Sequence, residues 1–210
     1  VVAEVTKVTT PTSDSTPNYT FSSSVAGTIT YGGSCSSDDT FVMADSNTIT
    51  FSPLGDGTYS NCTITVTDSG GNSETLNINS FLVDSSSPTL SQVTTVSTPD
   101  NDNTPVYTFA STEAGTITYG GSCSSSTTSA TADINNIILN SLSDGTYSNC
   151  NITVTDSAGN VSDALSINSF IIEGSTATLT LVEVTPVTTP SNDNTPNYTF
   201  SSSKAGVIVY

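Results

Sequence analysis

Four cysteines and 19 acidic residues are the side chains through which this sequence of 210 residues could do chemistry. The sequence has no histidine and no arginine, and its lysines are Lys7 and Lys204. It therefore cannot form a Ser-His-Asp or Cys-His pair, a histidine metal site or an arginine clamp for phosphate. What remains is disulfide or thiolate chemistry at the cysteines, and acid–base catalysis or the binding of a hard cation at the carboxylates.

The formal net charge of −17 excludes several classes of partner. Phosphate binding depends on cationic side chains, so we expect no nucleic-acid partner. An anionic membrane surface is disfavoured for the same reason, and no stretch approaches the ~20 apolar residues of a membrane span. We therefore expect no direct membrane insertion of this segment. The polar surface is supplied by 37 serines and 39 threonines, a composition that favours a secreted or cell-surface protein.

The cysteines form two pairs with the same spacing. Cys35 and Cys62 are 27 residues apart, and so are Cys123 and Cys150. Four cysteines allow three connectivities, but both pairs occupy matching positions of an internal repeat. The repeat therefore predicts the disulfides Cys35–Cys62 and Cys123–Cys150. Two thiolates without histidine or a nearby CxxC would make a poor zinc site. Disulfides in turn indicate an oxidising, extracellular compartment.

An internal repeat with a period near 90 residues organises the sequence. The motif Thr-Pro-x-Tyr-Thr-Phe occurs three times, at 16–21, 104–109 and 195–200. This period is too long for a solenoid unit and fits complete domains joined in series. We predict one domain at 1–84, a second at 88–173, and strands A to C of a truncated third repeat at 178–210. We expect the sequence to be a window of a longer chain.

Strand patterns dominate within each repeat, and helix signals are nearly absent. Polar and apolar residues alternate in short runs, and Gly, Pro, Asn and Asp cluster between the runs. The predicted strands A to G of the first repeat are 2–9, 19–23, 28–31, 40–44, 48–51, 58–67 and 74–83. About seven short strands without a helix predict an all-β class, with tandem Ig-like Greek-key β-sandwich domains that each contain one disulfide.

The segment around strand F resembles a known family. The sequence Asp-Gly-Thr-Tyr at 56–59, followed by the alternating run that ends at Asn72, is similar to the signature of strands E to G in bacterial Ig-like repeats. Residues 144–160 resemble it again. Such repeats occur in tandem in large bacterial surface, adhesin and biofilm proteins. The family often lacks cysteine, whereas each complete repeat here has a pair.

Tyr59 is out of phase with the apolar side of strand F, which includes Cys62 and Ile64. A bulge at Ser60 and Asn61 would turn Tyr59 inward, as the counterpart of a tyrosine corner. Without a bulge, Tyr59 would face outward on a regular strand.

Acidic residues concentrate in the loops at the two poles of the predicted sandwich. Related bacterial repeats often bind calcium between neighbouring domains, so the resemblance implies a candidate calcium site between the first two repeats. Its residues would be Asp14, Asp56, Asp84, Glu113, Asp156 and Asn160. Calcium needs six or more oxygen ligands, and no compact DxDxDG run is present. The alternative is that these acids are solvated and keep the chain soluble. We expect no other cofactor.

Five asparagines lie in Asn-x-Ser/Thr sequons and are candidate glycosylation sites. They are Asn18, Asn61, Asn151, Asn160 and Asn197. Such sequons also arise by chance in a sequence rich in Ser and Thr. A carboxylate pair could serve glycoside hydrolysis, but each candidate lies in a short loop without a cleft or an aromatic platform. We therefore expect no enzymatic activity.

These observations favour a structural segment of a long extracellular repeat array, acting as a stalk or as a strand of a fibre or matrix. Its partners would be neighbouring repeats of the same chain and other copies in a fibre. One alternative is an adhesin repeat that binds a glycan or protein through the variable segments 37–47 and 125–135. Another is a filament subunit completed by strand exchange at the exposed strand 207–210.

Overall fold

The computed structural model of this protein is all-β and describes residues 1–174, 179–203 and 206–209. The chain divides into two compact units, Val1–Glu173 and Gly174–Tyr210. Among the described residues, no helix has the length and apolarity that crossing a membrane requires.

The first part of unit one is a sandwich of antiparallel strands. Its strands are β1 (Val2–Thr6), β2 (Asn18–Ser23), β3 (Gly27–Gly32), β4 (Phe41–Val42), β5 (Asp45–Thr50), β6 (Gly57–Tyr59), β7 (Thr63–Thr67), β8 (Ser73–Asn77) and β9 (Phe81–Val83). One sheet has the order β1-β2-β5, the other has the order β4-β3-β7-β8, and β6 pairs with β9. This is the Ig-like Greek-key arrangement that the alternating pattern predicts.

The second part of unit one repeats this topology. Its strands are β10 (Leu90–Thr94), β11 (Val106–Ser111), β12 (Gly115–Gly120), β13 (Ser129–Ala130), β14 (Asp133–Ile138), β15 (Gly145–Tyr147), β16 (Asn151–Thr155), β17 (Leu165–Ser166) and β18 (Phe170–Ile172). The sheets have the orders β10-β11-β14 and β13-β12-β16-β17, and β15 pairs with β18. In unit two, the described strands β19 (Leu181–Thr185) and β20 (Thr199–Ser202) form an antiparallel pair.

Several strands differ from the sequence prediction. Strands F and G are each divided in two, at 60–62 and 78–80, which gives nine strands where seven were predicted. The fourth strand pairs with β3 and not with β5, so it belongs to the second sheet. Strand E begins at Asp45, where a positive φ of 81° makes a tight turn. Asn47 closes this turn, because its side chain bonds both N–H and C=O of Met43 at 2.9 Å.

The division of strand F turns Tyr59 towards the core, which is the first of the two alternatives for this residue. Its ring stacks on Phe81 with centroids 5.3 Å apart, and its hydroxyl donates to the carbonyl oxygen of Gly55 at 2.9 Å. Tyr147 stacks on Phe170 with the same centroid distance. A tyrosine hydroxyl that returns to the backbone a few residues upstream is the defining contact of a tyrosine corner.

Each sandwich has its own core of stacked rings and aliphatic side chains. In the first, Tyr19 stacks on Phe51 at 6.2 Å between ring centroids, and Phe51 stacks on Phe81 at 6.0 Å. The hydroxyl of Tyr19 donates to Glu4 at 3.1 Å. Burial, together with the charge of Glu4, raises the pKa of Tyr19. The core therefore keeps this phenol neutral.

The cysteines join neighbouring strands of the second sheet. Cys35 follows β3 and Cys62 precedes β7; both are buried, and the structure bonds them with Cα atoms 5.3 Å apart. Cys123 and Cys150 are bonded with the same Cα distance. Gly33 lies in the left-handed region with φ of 74°, and a Cβ there would collide with the carbonyl oxygen of Asn61. Glycine therefore lets the loop that carries Cys35 approach the start of β7.

We predict that the paired change Cys35→Ala and Cys62→Ala destabilises the first sandwich by about 3 kcal/mol, because it frees a closed loop in the unfolded chain. Urea unfolding followed by tyrosine fluorescence would measure the change. Reduction of the variant should then affect only the second sandwich. Free thiols at all four positions by non-reducing mass spectrometry would contradict the basis of this prediction.

Candidate functional site

A group of three carboxylates lies where the first sandwich of unit one meets the second. Asp84 follows β9, Glu113 lies in the turn between β11 and β12, and Asp156 follows β16. One carboxylate oxygen of each lies within 4.8 Å of the others. All three residues are partly buried, so their charges are screened less than those of fully solvated acids. We call this group the joint cluster.

The turn after β16 fixes the carboxylate of Asp156. Its Oδ1 accepts hydrogen bonds from the N–H groups of Ala158, Gly159 and Asn160 at 2.8, 2.8 and 2.9 Å. The side-chain amide of Asn160 donates to Oδ2 at 2.8 Å. Burial is the largest single influence and opposes ionisation, but these hydrogen bonds together outweigh it and lower the pKa of Asp156.

Asn160 also links the two sandwiches. Its Nδ2 donates to the carbonyl oxygen of Asp84 at 2.7 Å. Asn72 occupies the matching turn of the first sandwich and bonds Asp68 in the same way, with Nδ2 2.9 Å from Oδ2. The two turns are therefore locally alike, and Asn160 adds one hydrogen bond across the joint.

The linker between the sandwiches is held by Asp56, which precedes β6. Its carboxylate accepts from the N–H and hydroxyl groups of Ser85 at 2.8 and 2.7 Å, and from the hydroxyl of Ser86 at 2.7 Å. These hydrogen bonds, that of the Ser85 hydroxyl first, lower the pKa of Asp56. Pro88 is buried, and Thr89 and Thr112 exchange hydrogen bonds at 2.9 and 3.0 Å. The short linker is thus bonded along most of its length.

Glu113 is the carboxylate on which the negative charge of the joint acts most clearly. Burial raises its pKa, and the charges of Asp84, Asp156 and Asp56 raise it further. Ionised Glu113 is therefore unfavourable in the folded protein, because neighbouring acids repel it and solvent only partly reaches it.

The structure brings together most of the residues predicted for a calcium site. Asp84, Glu113 and Asp156 form the joint cluster, Asn160 bonds Asp84, and Asp56 binds the adjoining linker. Asp14 is not a member of the cluster. Its carboxylate instead accepts hydrogen bonds from the N–H and hydroxyl groups of Thr16, at 2.8 and 3.1 Å. An aspartate side chain commonly bonds the backbone N–H two residues later and so stabilises a local turn.

The joint cluster has some, but not all, of the features of a calcium site. Three carboxylates supply hard oxygen ligands, whereas calcium takes six to eight. Backbone carbonyls or water would have to supply the remainder. Calcium binding therefore stays a prediction.

The sequon asparagines lie in different settings. Asn18, Asn61 and Asn197 are exposed, whereas Asn151 and Asn160 are partly buried. The side-chain oxygen of Asn61 accepts from the N–H of Ser34 at 3.1 Å beside the disulfide, and that of Asn18 accepts from Thr50 at 2.7 Å. Glycosylation at these positions stays a prediction.

Sequence reasoning missed the contacts that hold the linker. Ser85 and Ser86 resemble any polar linker, and only the fold places them beside Asp56. A signal was available for Asn160, because an asparagine follows an aspartate by four residues in both repeats, as Asp68 with Asn72 and Asp156 with Asn160. That spacing predicts the turn but not the contact with the preceding domain.

Comparison with solved structures finds distant similarity only. Fibronectin(III)-like modules of Clostridium thermocellum CbhA are 12% identical over 82% of this chain and 94% of theirs, with a TM-score of 0.40. The surface glycan-binding protein SGBP-B of Bacteroides ovatus, solved with a mixed-linkage heptasaccharide, is 13% identical over 86% of this chain and 47% of its own, with a TM-score of 0.26. No protein-family model and no curated protein matches the sequence. The assignment of the fold rests on the strand pairing itself.

We predict that Glu113→Gln raises the melting temperature at pH 7 and low salt by up to about 2–4 °C, the effect of relieving under ~1 kcal/mol of repulsion. The raised pKa means that stability is lost as pH rises from the ordinary value of 4.5 through the folded value. The difference should therefore vanish below about pH 4, where Glu113 is protonated in both states. Asp163→Asn, which removes one charge at an exposed position, is the control. Equal gains from both variants would attribute the effect to net charge.

We further predict that calcium at about 100 times its dissociation constant raises the melting temperature of the unaltered protein by roughly 5–10 °C. Glu113→Gln should reduce this gain, because it removes an anionic ligand, although it stabilises the calcium-free protein. Calorimetry with calcium and with excess chelator would test whether Glu113→Gln raises the melting temperature without calcium and reduces the gain that calcium gives. No calcium response in the unaltered protein would leave these acids as solubilising charge.

Proposed function

We propose that this protein is a structural, non-catalytic segment of an extracellular repeat array that sets the spacing of successive domains, as a stalk or as a strand of a fibre or matrix. The observation that carries the proposal is the joint of unit one. Asn160 bonds Asp84 across it, and Asp56 bonds Ser85 and Ser86 of the linker. A short linker held by hydrogen bonds at Asp84, Ser85 and Ser86 has little freedom to flex.

The surface of the sandwiches supports the same role. Threonine hydroxyls on neighbouring strands bond one another, as Thr65 with Thr75 at 2.7 Å and Thr20 with Thr48 at 2.9 Å. Short β-branched side chains favour a pleated surface and lose little conformational freedom there. Such a surface is water-compatible without long charged side chains. The two disulfides favour an oxidising, extracellular setting.

Binding by an individual repeat is the first alternative. In the first repeat, Phe41 is 61% exposed on the short edge strand β4, and Met43 beside it is also exposed. The matching positions of the second repeat are Ser129 and Thr131. An exposed aromatic ring that one repeat has and the other lacks favours a ligand contact specific to that repeat. Loss of ligand binding in Phe41→Ser, with the fold intact, would support this alternative.

Completion of unit two by strands from another copy is the second alternative. Tyr198 is 56% exposed, whereas its counterparts Tyr19 and Tyr107 are fully buried. It lines an apolar cleft together with Leu181 and Phe200. In the first repeat, β5 extends the matching sheet at its edge, and the sheet that contains β3 and β7 packs on its face. Strands of the same sequence pattern, whichever chain supplies them, would fit unit two in the same way.

We predict that Asn160→Ala loosens the joint, whereas the matched change Asn72→Ala does not. Both changes remove the bonds to the preceding aspartate, but only the first removes the bond to Asp84, worth about 0.5–1.5 kcal/mol. Residual dipolar couplings should give one alignment tensor for both sandwiches in the unaltered protein and in Asn72→Ala. In Asn160→Ala the two tensors should diverge.

Two different tensors in the unaltered protein, under conditions in which both sandwiches are folded, would contradict the stalk proposal. The same measurement with excess chelator separates the contribution of the hydrogen bonds from any contribution of calcium.

A further inference from the structure

The second sandwich has an apolar patch on the outer side of its β10-β11-β14 sheet, and the first sandwich does not. Its members are Val106, Ala110, Ile134 and Ile138. At the matching positions, 88 residues earlier, the first repeat has Asn18, Ser22, Ser46 and Thr50. We call these four side chains of the second repeat the outer patch. All four differences run in the same direction, from polar to apolar.

Strand pairing arranges the outer patch as two apolar pairs, with Thr108 and Asn136 between them. Val106 lies directly opposite Ile138, and Ala110 lies directly opposite Ile134, in the register of β11 and β14. Val106 is 51% exposed, Ile134 is 61% exposed and Ile138 is 60% exposed. Side chains that face each other across strands form one surface. Val93 of the neighbouring strand β10 is exposed as well, but so is Val5 at the matching position of the first repeat.

The fold does not require these apolar residues. In the first sandwich the same sheet forms with Asn18 opposite Thr50, and their side chains share a hydrogen bond of 2.7 Å. The side chains that point inward from both sheets, such as Tyr19 and Tyr107, are alike and fully buried. The sandwich therefore forms without an outer patch, and grouped exposed apolar side chains are a feature of interaction sites.

The chemistry of the patch limits what could cover it. It lies on the face of a sheet and has no aromatic ring, so it lacks the stacking platform that a sugar would need. The other outward side chains of β11 and β14 are neutral, and Thr108 and Asn136 in its middle bond each other at 2.7 Å. Asp133, the first residue of β14, is exposed at the end of the patch. In a protein with a net charge of −17, a face whose central side chains are neutral is one where a second copy can approach with less repulsion.

We propose that the outer patch pairs with the outer patch of a second copy, sheet against sheet, about a two-fold axis. Two flat apolar faces are complementary to each other by symmetry, and aligned sheets pack about 10 Å apart. The proposal deepens the structural role proposed above, because it names the surface through which chains associate. Its failure would leave the stiffness of the joint unaffected.

The size of the patch sets the strength of the contact. A stable specific interface buries about 800 Å² on each partner, which is more than four or five small side chains supply. The outer patch therefore supports a weak dimer that depends on protein concentration. Salt should tighten it, because screening weakens the repulsion between the two negative chains while apolar burial persists.

Sedimentation equilibrium of the whole 210-residue protein over a concentration series, in 0.15 M and 1 M NaCl, tests the proposal. The decisive variant gives the second repeat the residues of the first, with the changes Val106→Asn, Ala110→Ser, Ile134→Ser and Ile138→Thr. We expect its dimer dissociation constant to be at least tenfold weaker. The reverse exchange gives the first repeat an outer patch, with Asn18→Val, Ser22→Ala, Ser46→Ile and Thr50→Ile, and should tighten association.

Each sheet already forms with the residues that the other receives, so both variants should fold, and melting curves with intact disulfides would verify this. A dimer that the first exchange does not weaken would overturn the proposal, since the contact would then lie elsewhere, as on the open face of unit two. Monomers up to about 1 mM protein at both salt concentrations would also overturn it. If the first exchange fails to fold, the reverse exchange still tests the proposal. A reverse variant that associates no more tightly than the unaltered protein would overturn the proposal.

Discussion

Acidic side chains in this protein are held by neutral hydrogen-bond donors, because the sequence has two lysines for 19 carboxylates. Asp68 accepts from the N–H groups of Gly70 and Asn72 at 2.8 and 2.9 Å, and Asp102 accepts from Thr104 at 2.8 Å. These bonds lower the pKa of both aspartates. A lowered pKa stabilises the fold above the ordinary value of 3.8, and this contribution is lost as pH falls through the folded value. The turns are thus strengthened by acids without ion pairs.

The joint uses the same kind of bonding between domains. Asp56 organises the linker through two serines, and Asp156 organises the turn from which Asn160 reaches Asp84. Neutral donors satisfy each carboxylate but leave its charge in place. Repulsion therefore accumulates where several such turns meet, and burial together with this repulsion raises the pKa of Glu113. The interactions that order the joint also give it the charge density that a cation would relieve.

Sequence reasoning predicts features that repeat or alternate, and it is weaker where one side chain acts through a particular contact. The all-β sandwich follows from spacing alone, since a period of two places side chains on opposite faces. The inward position of Tyr59 does not, because Tyr59 is out of phase with that period and turns inward only because strand F is interrupted. The interruption of strand G gives no signal in the sequence, because irregular backbone leaves no period. The meeting of Glu113 with Asp156 follows from loop positions in an Ig-like fold. Asp14, in a loop of the first sandwich that was predicted to face them, instead closes a local turn.

The double hydrogen bonding of Asn160 has a consequence for its sequon. Both hydrogens on Nδ2 are in use, one on Asp84 and one on Asp156. A sugar attached to this nitrogen would replace one of them, so a closed joint shields the acceptor atom from a transferase. The presence or absence of a glycan at Asn160 would thus depend on whether glycosylation or docking of the two sandwiches came first. A modified chain would have been glycosylated before these two sandwiches docked, whereas docking before the transferase acts would leave Asn160 unmodified.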